Sequence, residues 1–454
     1  MKDRESLQSR LGFILLSAGC AIGLGNVWRF PFITGENGGA AFVLLYIIFL
    51  ILIGLPVMSM EFAIGRGGRN NIVGAYDRLS GGSRFWNGVG IFSYIGNYLL
   101  LMFYTAITGW LIYYTFSAAS GVFQSGIGIP EYFSDLMASP LKQTAYMAAA
   151  MAITALIVIG GLAKSVERIT KAMMCILFLL MISLAVYSCT LPGAESGLLF
   201  YLRPDFAKIA EKGIFSVIYD AMGQAFFTLS LGIGAMTIFG SYVSKDRTLP
   251  GESVRIMTLD TAIAILAGLI IFPACSAFST EPSAGPALLF LSLPEVFRKM
   301  AGGRFWGTVF FIAMSFAAIS TLIAVFENII SFWIDRKGWP RKKAVIVNAI
   351  ILIILSLPCI LGFNVLSGLH PLGGTSTVLD GEDFLVSNII LPLGSLMMVI
   401  FCTSERGWGW KSFLKEADEG KGLKFPKWLR IYSSYILPVI ILSVFTIGLI
   451  QMFL

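Results

Sequence analysis

Charge is scarce in this chain of 454 residues: Asp, Glu, Lys and Arg make up 13%. An ordinary soluble domain carries roughly a quarter, so a water-soluble enzyme is a poor fit. Histidine occurs once, at His370, and the six cysteines, Cys20, Cys175, Cys189, Cys275, Cys359 and Cys402, show no CxxC spacing. These shortages argue against a disulfide framework and against a site for a soft metal built on clustered thiolates and imidazoles. The cysteines read as small buried hydrophobes, and His370, in a polar loop, as solvated. No Pro/Ser-rich linker or low-complexity tract divides the chain, which reads as one domain, 1–454. A nucleotide fingerprint is also missing: Gly23-Leu24-Gly25 lacks the third glycine, the preceding strand and the distant acidic partner.

Apolar residues are what the chain has in abundance, at 56%, with a mean hydropathy of +0.80. Stretches near 11–36, 41–60, 86–118, 143–163, 172–191, 213–241, 256–278, 305–334, 344–363, 384–402 and 431–454 are each long enough to cross a hydrocarbon core of ~30 Å. The expectation is an all-α polytopic membrane protein with eleven transmembrane helices and the lipid bilayer as its solvent. The net charge of +7 does not point to nucleic acid, because the basic residues fall in alternate loops rather than along one face. Most of them group near residues 2–10, 66–84, 164–171, 245–255, 336–343 and 406–430. The positive-inside rule makes that side cytoplasmic. A plasma-membrane protein with its N-terminus cytoplasmic and, for an odd span count, its C-terminus outside is expected. The basic start followed by LGFILLSAGC has the outline of a secretory signal, but the apolar stretch continues past Cys20 and reads as a first span.

Two spans carry glycine and polar groups in their middles: residues 19–26 (GCAIGLGN) and residues 227–234 (FTLSLGIG). A span can break midway only where the freed backbone lines a cavity or site, and paired interrupted spans point to a transporter built from inverted repeats. The five-span separation suggests a first repeat at about 11–191, a second, inserted upside down, at about 213–402, and an additional span at about 431–454. Close helix packing is the plainer alternative for either span alone, since Gly19 and Gly23 form a small-xxx-small pair. An unwound segment frees carbonyls for a hard cation and N–H groups for a carboxylate. Asn26, Thr228, Ser230, Ser320 and Thr321 add neutral oxygens suited to sodium, although Ser320 and Thr321 have the option of bonding carbonyls one turn earlier. Asp260 and Glu327 are ionisable groups inside spans, expensive and therefore candidates. Glu327 reads as the partner of a cytoplasmic-side loop cation and Asp260 as a cation ligand.

Taken together, GLGNVWRFP at 23–31, ENGGAAF at 36–42, EFAIGR at 61–66, the Asp220-Ala221…Gln224…Phe226-Phe227 run and FAAIST at 316–321 resemble the neurotransmitter:sodium symporter family, especially its bacterial amino-acid members. The resemblance covers nearly the whole chain. It implies a first sodium site from the Ala21 carbonyl, Asn26, Thr228, Asp260 and the substrate carboxylate. A second would use the carbonyls of Gly19, Ile22 and Ala317 with the hydroxyls of Ser320 and Thr321. The substrate would meet Ala21, Gly25, Tyr104, Phe227, Thr228 and Thr321, with Leu100, Ser230, Ile233 and Val325 around its side chain. An external gate of Arg29 with Asp383 and an internal gate of Arg4 with Asp335, supported by Tyr242, are implied as well.

Departures from the family pattern carry their own expectations. Asp260 stands where many relatives have Asn, and Ala264 where some chloride-independent members have an acid. Tyr46 and Gln224 match chloride-site positions of animal relatives, yet Asp260 brings its own negative charge, so chloride is not expected to be required. Leu7 replaces a frequent Trp near the inner gate and Cys175 a Pro in the fifth span. The function expected is sodium-coupled inward symport of neutral, mainly hydrophobic L-amino acids, with two sodium ions and no enzymatic activity. A transport-inactive amino-acid sensor is the alternative; an intramembrane enzyme is a weaker one, because no catalytic constellation is present. Oligomeric state is not readable from the sequence.

Overall fold

The computed structural model describes Leu7, residues 9–280 and residues 287–453; Arg4 lies outside the described residues. Among these, the regular structure is helical, with one isolated β-bridge joining Arg247 and Lys421. Nine helical runs among the described residues are long and apolar enough to cross a bilayer: Ala40–Gly68, Arg84–Ser120, Pro140–Ile159, Leu162–Cys189, Leu249–Ala277, Gly303–Lys337, Arg341–Leu361, Val378–Thr403 and Leu429–Ile450. The pair Arg10–Ala21 and Gly25–Glu36, bent by 59°, makes a tenth. Ile214–Thr228 and Ala235–Gly240 form a further interrupted run whose halves are each too short to count alone. This set is compatible with the eleven spans expected, and in chain order its members are termed the first to eleventh runs.

Two boundaries differ most from the hydropathy reading. The second run extends to Gly68 rather than residue 60, and the fifth starts at Leu162 rather than near 172. In both cases the helix continues through charged residues that an apolar window rejects, because backbone hydrogen bonding does not stop where the hydrocarbon does.

Proline sets the local helix geometry. π turns at Gly25–Arg29, Leu50–Gly54, Leu288–Ser292, Leu385–Ile390 and Tyr432–Ile436 are followed two residues later by Pro31, Pro56, Pro294, Pro392 and Pro438. A proline has no N–H to donate, and its ring crowds the carbonyl four residues back. Widening the turn by one residue relieves that conflict. A further π turn, Leu162–Val166, follows Gly161 instead, and Pro273 and Pro358 sit inside helices without one.

The eighth and third runs form the centre: 83% and 72% of their most apolar windows are buried, against 28% for the eleventh, which faces outward. Close backbone approach joins the second run to the second half of the sixth. A Cβ on Gly65 would lie 1.9 Å from the Thr237 carbonyl oxygen, and one on Gly240 2.4 Å from that of Phe62. At the C-terminal end of the second run the fully buried Arg66 donates to Glu416 Oε1 (2.7 Å), to the Glu416 carbonyl and to the Arg247 carbonyl (2.7 Å). That guanidinium fastens the loop helix Trp410–Ala417 and the loop after the sixth run to one point.

Candidate functional site

Two breaks lie side by side. In the first run the α-helix ends at Ala21, Ile22 adopts an extended conformation with ψ 104°, and helix resumes at Gly25. Glycine is required here by its neighbours: a Cβ on Gly23 would stand 2.5 Å from the Tyr104 hydroxyl, and one on Gly25 2.6 Å from the Phe227 ring. In the sixth run the chain leaves the helix after Thr228 and turns through positive φ at Ser230, Gly232 and Gly234. Ser230 is the strained member, because an L side chain rarely occupies φ 49°.

Side chains satisfy the backbone freed by that turn, as a low-dielectric interior demands. Buried Glu61, from the second run, accepts the N–H groups of Gly232 and Met236, both at 3.0 Å. Asn97 of the third run donates to the Ile233 carbonyl at 2.8 Å, and Asn328 of the eighth donates to Asn97 Oδ1 at 2.9 Å. Gln224 Nε2 donates to the Gly25 carbonyl at 3.2 Å, tying one break to the other.

Two oxygen-rich clusters flank the breaks. In the first, the Thr228 hydroxyl donates to Asp260 Oδ2 (2.9 Å), and Asn26 Nδ2 donates to Asp260 Oδ1 (2.8 Å) and Thr228 Oγ1 (3.1 Å). Asn26 Oδ1 accepts the Gly23 N–H at 3.0 Å. All three side chains are buried. In the second cluster the Ser320 hydroxyl reaches the carbonyls of Gly19 (3.0 Å) and Ala317 (2.8 Å). Thr321 reaches those of Gly19 (3.2 Å), Ile22 (3.2 Å) and Ala317 (3.3 Å). Bonding to a carbonyl one turn earlier and reaching across to the first run occur together. Neutral oxygens in one cluster, and neutral oxygens with one carboxylate in the other, are a donor set fitted to hard cations.

Between the clusters lies a small cavity of about 30 Å³. It is lined at the first break by Cys20, Ala21, Gly23, Leu24 and Gly25, by the polar side chains of Tyr104, Thr228, Ser230 and Thr321, and by the apolar ones of Leu100, Phe227, Val386 and Leu391. The Leu24 N–H donates to the Tyr104 hydroxyl at 3.2 Å. Ile233 and Val325 are fully buried but stand outside this lining. Above Phe227, the Arg29 guanidinium lies 4.3 Å from the ring centroid. Asp383 accepts from Ser387 Oγ at 2.8 Å, and among the described residues Arg29 and Asp383 form no ion pair within 4.0 Å.

Toward the far end of the sixth run, Tyr242 donates to Glu327 Oε1 at 3.3 Å, and Arg341 grips both oxygens of Glu327. The cation met by Glu327 is thus at the start of the ninth run. Asp335 Oδ2 accepts the Asn71 N–H at 3.1 Å. The buried Tyr46 hydroxyl and Gln224 Oε1 have no hydrogen-bond partner among the described residues.

The sequence reading did not assign Glu61, Asn97, Asn328, Val386 or Leu391. Glu61 fell just past a span drawn to residue 60, although a carboxylate in an apolar helix is itself a signal. Val386 and Leu391 carry no such signal; only Pro392 marks an irregular turn beside them.

Helices broken at mid-span, oxygen clusters at the breaks and a cavity between them define a membrane carrier of the ion-coupled class. The sequence profile described as the Sodium:neurotransmitter symporter family matches residues 4–124 and 133–453. The chain belongs to that family and is a sodium-dependent symporter. It is 36% identical over 406 residues to the uncharacterized sodium-dependent transporter YhdH of Bacillus subtilis, covering 88% of both chains. An uncharacterized sodium-dependent transporter of Haemophilus influenzae is 34% identical over 459 residues, with 98% of both chains covered. The crystal structure of MhsT in complex with L-phenylalanine superposes with a TM-score of 0.87 at 40% identity, covering 98% of this chain and 99% of that one.

Proposed function

We propose that this protein carries neutral, mainly hydrophobic L-amino acids into the cell together with sodium, by alternating access. The observation that supports this reading best is the Asn26–Thr228–Asp260 cluster, whose Thr228 lines a cavity that Leu100, Phe227, Val386 and Leu391 line as well. A sodium ion held by Asn26, Thr228, Asp260 and the Ala21 carbonyl would face the substrate carboxylate. Gly25 and Tyr104 would meet the same carboxylate, and the carbonyls of Ala21 and Phe227 the ammonium. A second sodium would sit among Gly19, Ile22, Ala317, Ser320 and Thr321. Cation and carboxylate neutralise one another where the dielectric is low, so each strengthens the binding of the other. Burying an aliphatic or aromatic side chain against the apolar wall contributes roughly 1.5–3 kcal/mol, whereas an unpaired charged side chain is rejected. The L-phenylalanine in the MhsT complex is consistent with that selectivity.

In this proposal Asn26 turns its amide when the ion enters, since its Nδ2 faces Asp260 and its Oδ1 faces Gly23. The outer gate closes as Arg29 approaches Asp383 over Phe227, and the inner gate uses Arg4, Asp335 and Tyr242. Exposed or half-exposed pairs worth ~0–1 kcal/mol suit such latches, which must break in every cycle. Residues 11–191 and 213–402 are proposed as the inverted repeats, with 431–454 additional, and the N-terminus as cytoplasmic in a plasma membrane.

The test is uptake by the purified protein in lipid vesicles. Labelled leucine, tyrosine or tryptophan should accumulate above equilibrium only under an inward sodium gradient. Equal uptake with potassium contradicts sodium coupling, and sodium-dependent binding without flux contradicts transport.

A further inference from the structure

The tenth run contributes two buried side chains, Val386 and Leu391, to the cavity wall. In a regular α-helix residues five apart point about 140° away from each other. Here the π turn Leu385–Ile390 lies between them, and the Leu391 N–H donates to the Val386 carbonyl. That i→i+5 bond stacks the two residues on one face, and Pro392, which has no N–H, follows directly.

This wall is also fixed in place. A Cβ on Gly232 would fall 2.3 Å from the Leu391 carbonyl oxygen, and one on Gly394 2.1 Å from the Gly232 carbonyl oxygen. The unwound stretch of the sixth run therefore rests backbone to backbone on the tenth. On the adjoining side Ile390 Cγ2 lies 2.6 Å from where a Cβ on Gly96 would be, which seats the turn on the third run. A side chain at Gly96, Gly232 or Gly394 would force this packing to shift.

We infer that Val386 and Leu391 set the size limit for the substrate side chain. The inference rests on the amino-acid symport proposed above and names the residues that choose among amino acids. The polar end of the cavity takes the zwitterionic head, so the side chain extends to the apolar wall, and the π turn makes two large side chains of the tenth run part of that wall. Ile233 and Val325 do not line the cavity. The ligands favoured are uncharged amino acids with bulky apolar side chains, and the cut-off between leucine and tryptophan is set by the tenth run.

The experiment is sodium-dependent binding of labelled leucine to the full-length purified protein, with alanine, valine, leucine, phenylalanine and tryptophan as competitors. Leu391→Ala and Val386→Ala should each shift the tryptophan-to-leucine affinity ratio toward tryptophan by roughly tenfold or more, the scale at which pockets discriminate by methylene groups. Leu391→Phe should shift it toward alanine and valine. The sodium concentration giving half-maximal binding should stay within about twofold, which general loss of packing would not spare. Ratios unchanged in all three variants, with a wild type that binds leucine, overturn the inference. A wild type that binds no amino acid overturns the reading on which it rests. Leu391→Val is a milder truncation that serves if the alanine variant does not fold: a smaller shift toward tryptophan supports the size limit, and an unshifted profile contradicts it.

Discussion

Asp260 places a buried carboxyl group between Asn26 and Thr228, and in the proposed mechanism it supplies the negative charge beside the ion. Sodium-driven uptake should therefore be unchanged when gluconate replaces chloride, and chloride-stimulated uptake in the unmodified protein would contradict this role. Asp260→Asn keeps the shape and removes the charge; sodium affinity in a binding titration should fall about tenfold or more, a loss of at least ~1.4 kcal/mol. An unchanged titration would show that the carboxylate is not a ligand. At this scale much was legible in the sequence, because polar groups in the middle of apolar spans are costly and stand out. Asn26, Thr228, Asp260, Ser320 and Thr321, scattered over four runs, lie in two hydrogen-bonded clusters. Ile233 and Val325 were misplaced relative to the cavity because spacing along a chain does not reveal which way an unwound segment faces.

Among elements, the unwound stretch of the sixth run depends on partners from other runs. Glu61→Gln keeps an acceptor for Gly232 or Met236 but loses the ionic character of both bonds. Hydrogen bonds to a charged group are worth ~1.5–3 kcal/mol; a lower melting temperature in detergent is expected, and an unchanged one would mean that the break does not need this carboxylate. Arg66→Ala tests the loop clamp. It leaves Glu416 with the half-exposed Lys245, 3.5 Å away, as its remaining cation, so the cost stays below the ~3 kcal/mol of a fully uncompensated buried charge. Hydrogen exchange should accelerate across residues 404–428 before the rest of the protein, and uniform protection would contradict the clamp. Lys245 and Glu419 lie in the same loops, and their hydrogen bond raises the pKa of the amine and lowers that of the carboxyl. The existence and order of the long helices were readable from hydropathy. Their ends were not, as at Gly68 and Leu162, nor were the π turns, whose effect is on register. Prolines at 31, 56, 294, 392 and 438 were the available sign, yet Pro273 and Pro358 show that proline alone does not decide.

At the scale of the whole molecule, two interrupted runs are held against a centre made by the third and eighth, and the lining of the cavity is shared among all four together with the tenth. The Asn37–Asp220 bond (3.0 Å) links the end of the first run to the sixth, and the Glu36–Lys212 pair (3.5 Å) links it to the short helix Phe206–Lys212 just before the sixth. Gln224 and Gly25 join the breaks themselves. Such links favour joint movement of the two runs, which is what coupling an ion to a substrate requires. The central claim is that ion and amino acid share one site, and linkage then demands a reciprocal effect. Equilibrium dialysis of the purified protein with labelled sodium and labelled leucine measures it directly. Saturating leucine should tighten sodium binding by the same factor by which saturating sodium tightens leucine binding, roughly fivefold or more. Independent affinities, with each ligand indifferent to the other, would contradict the shared site.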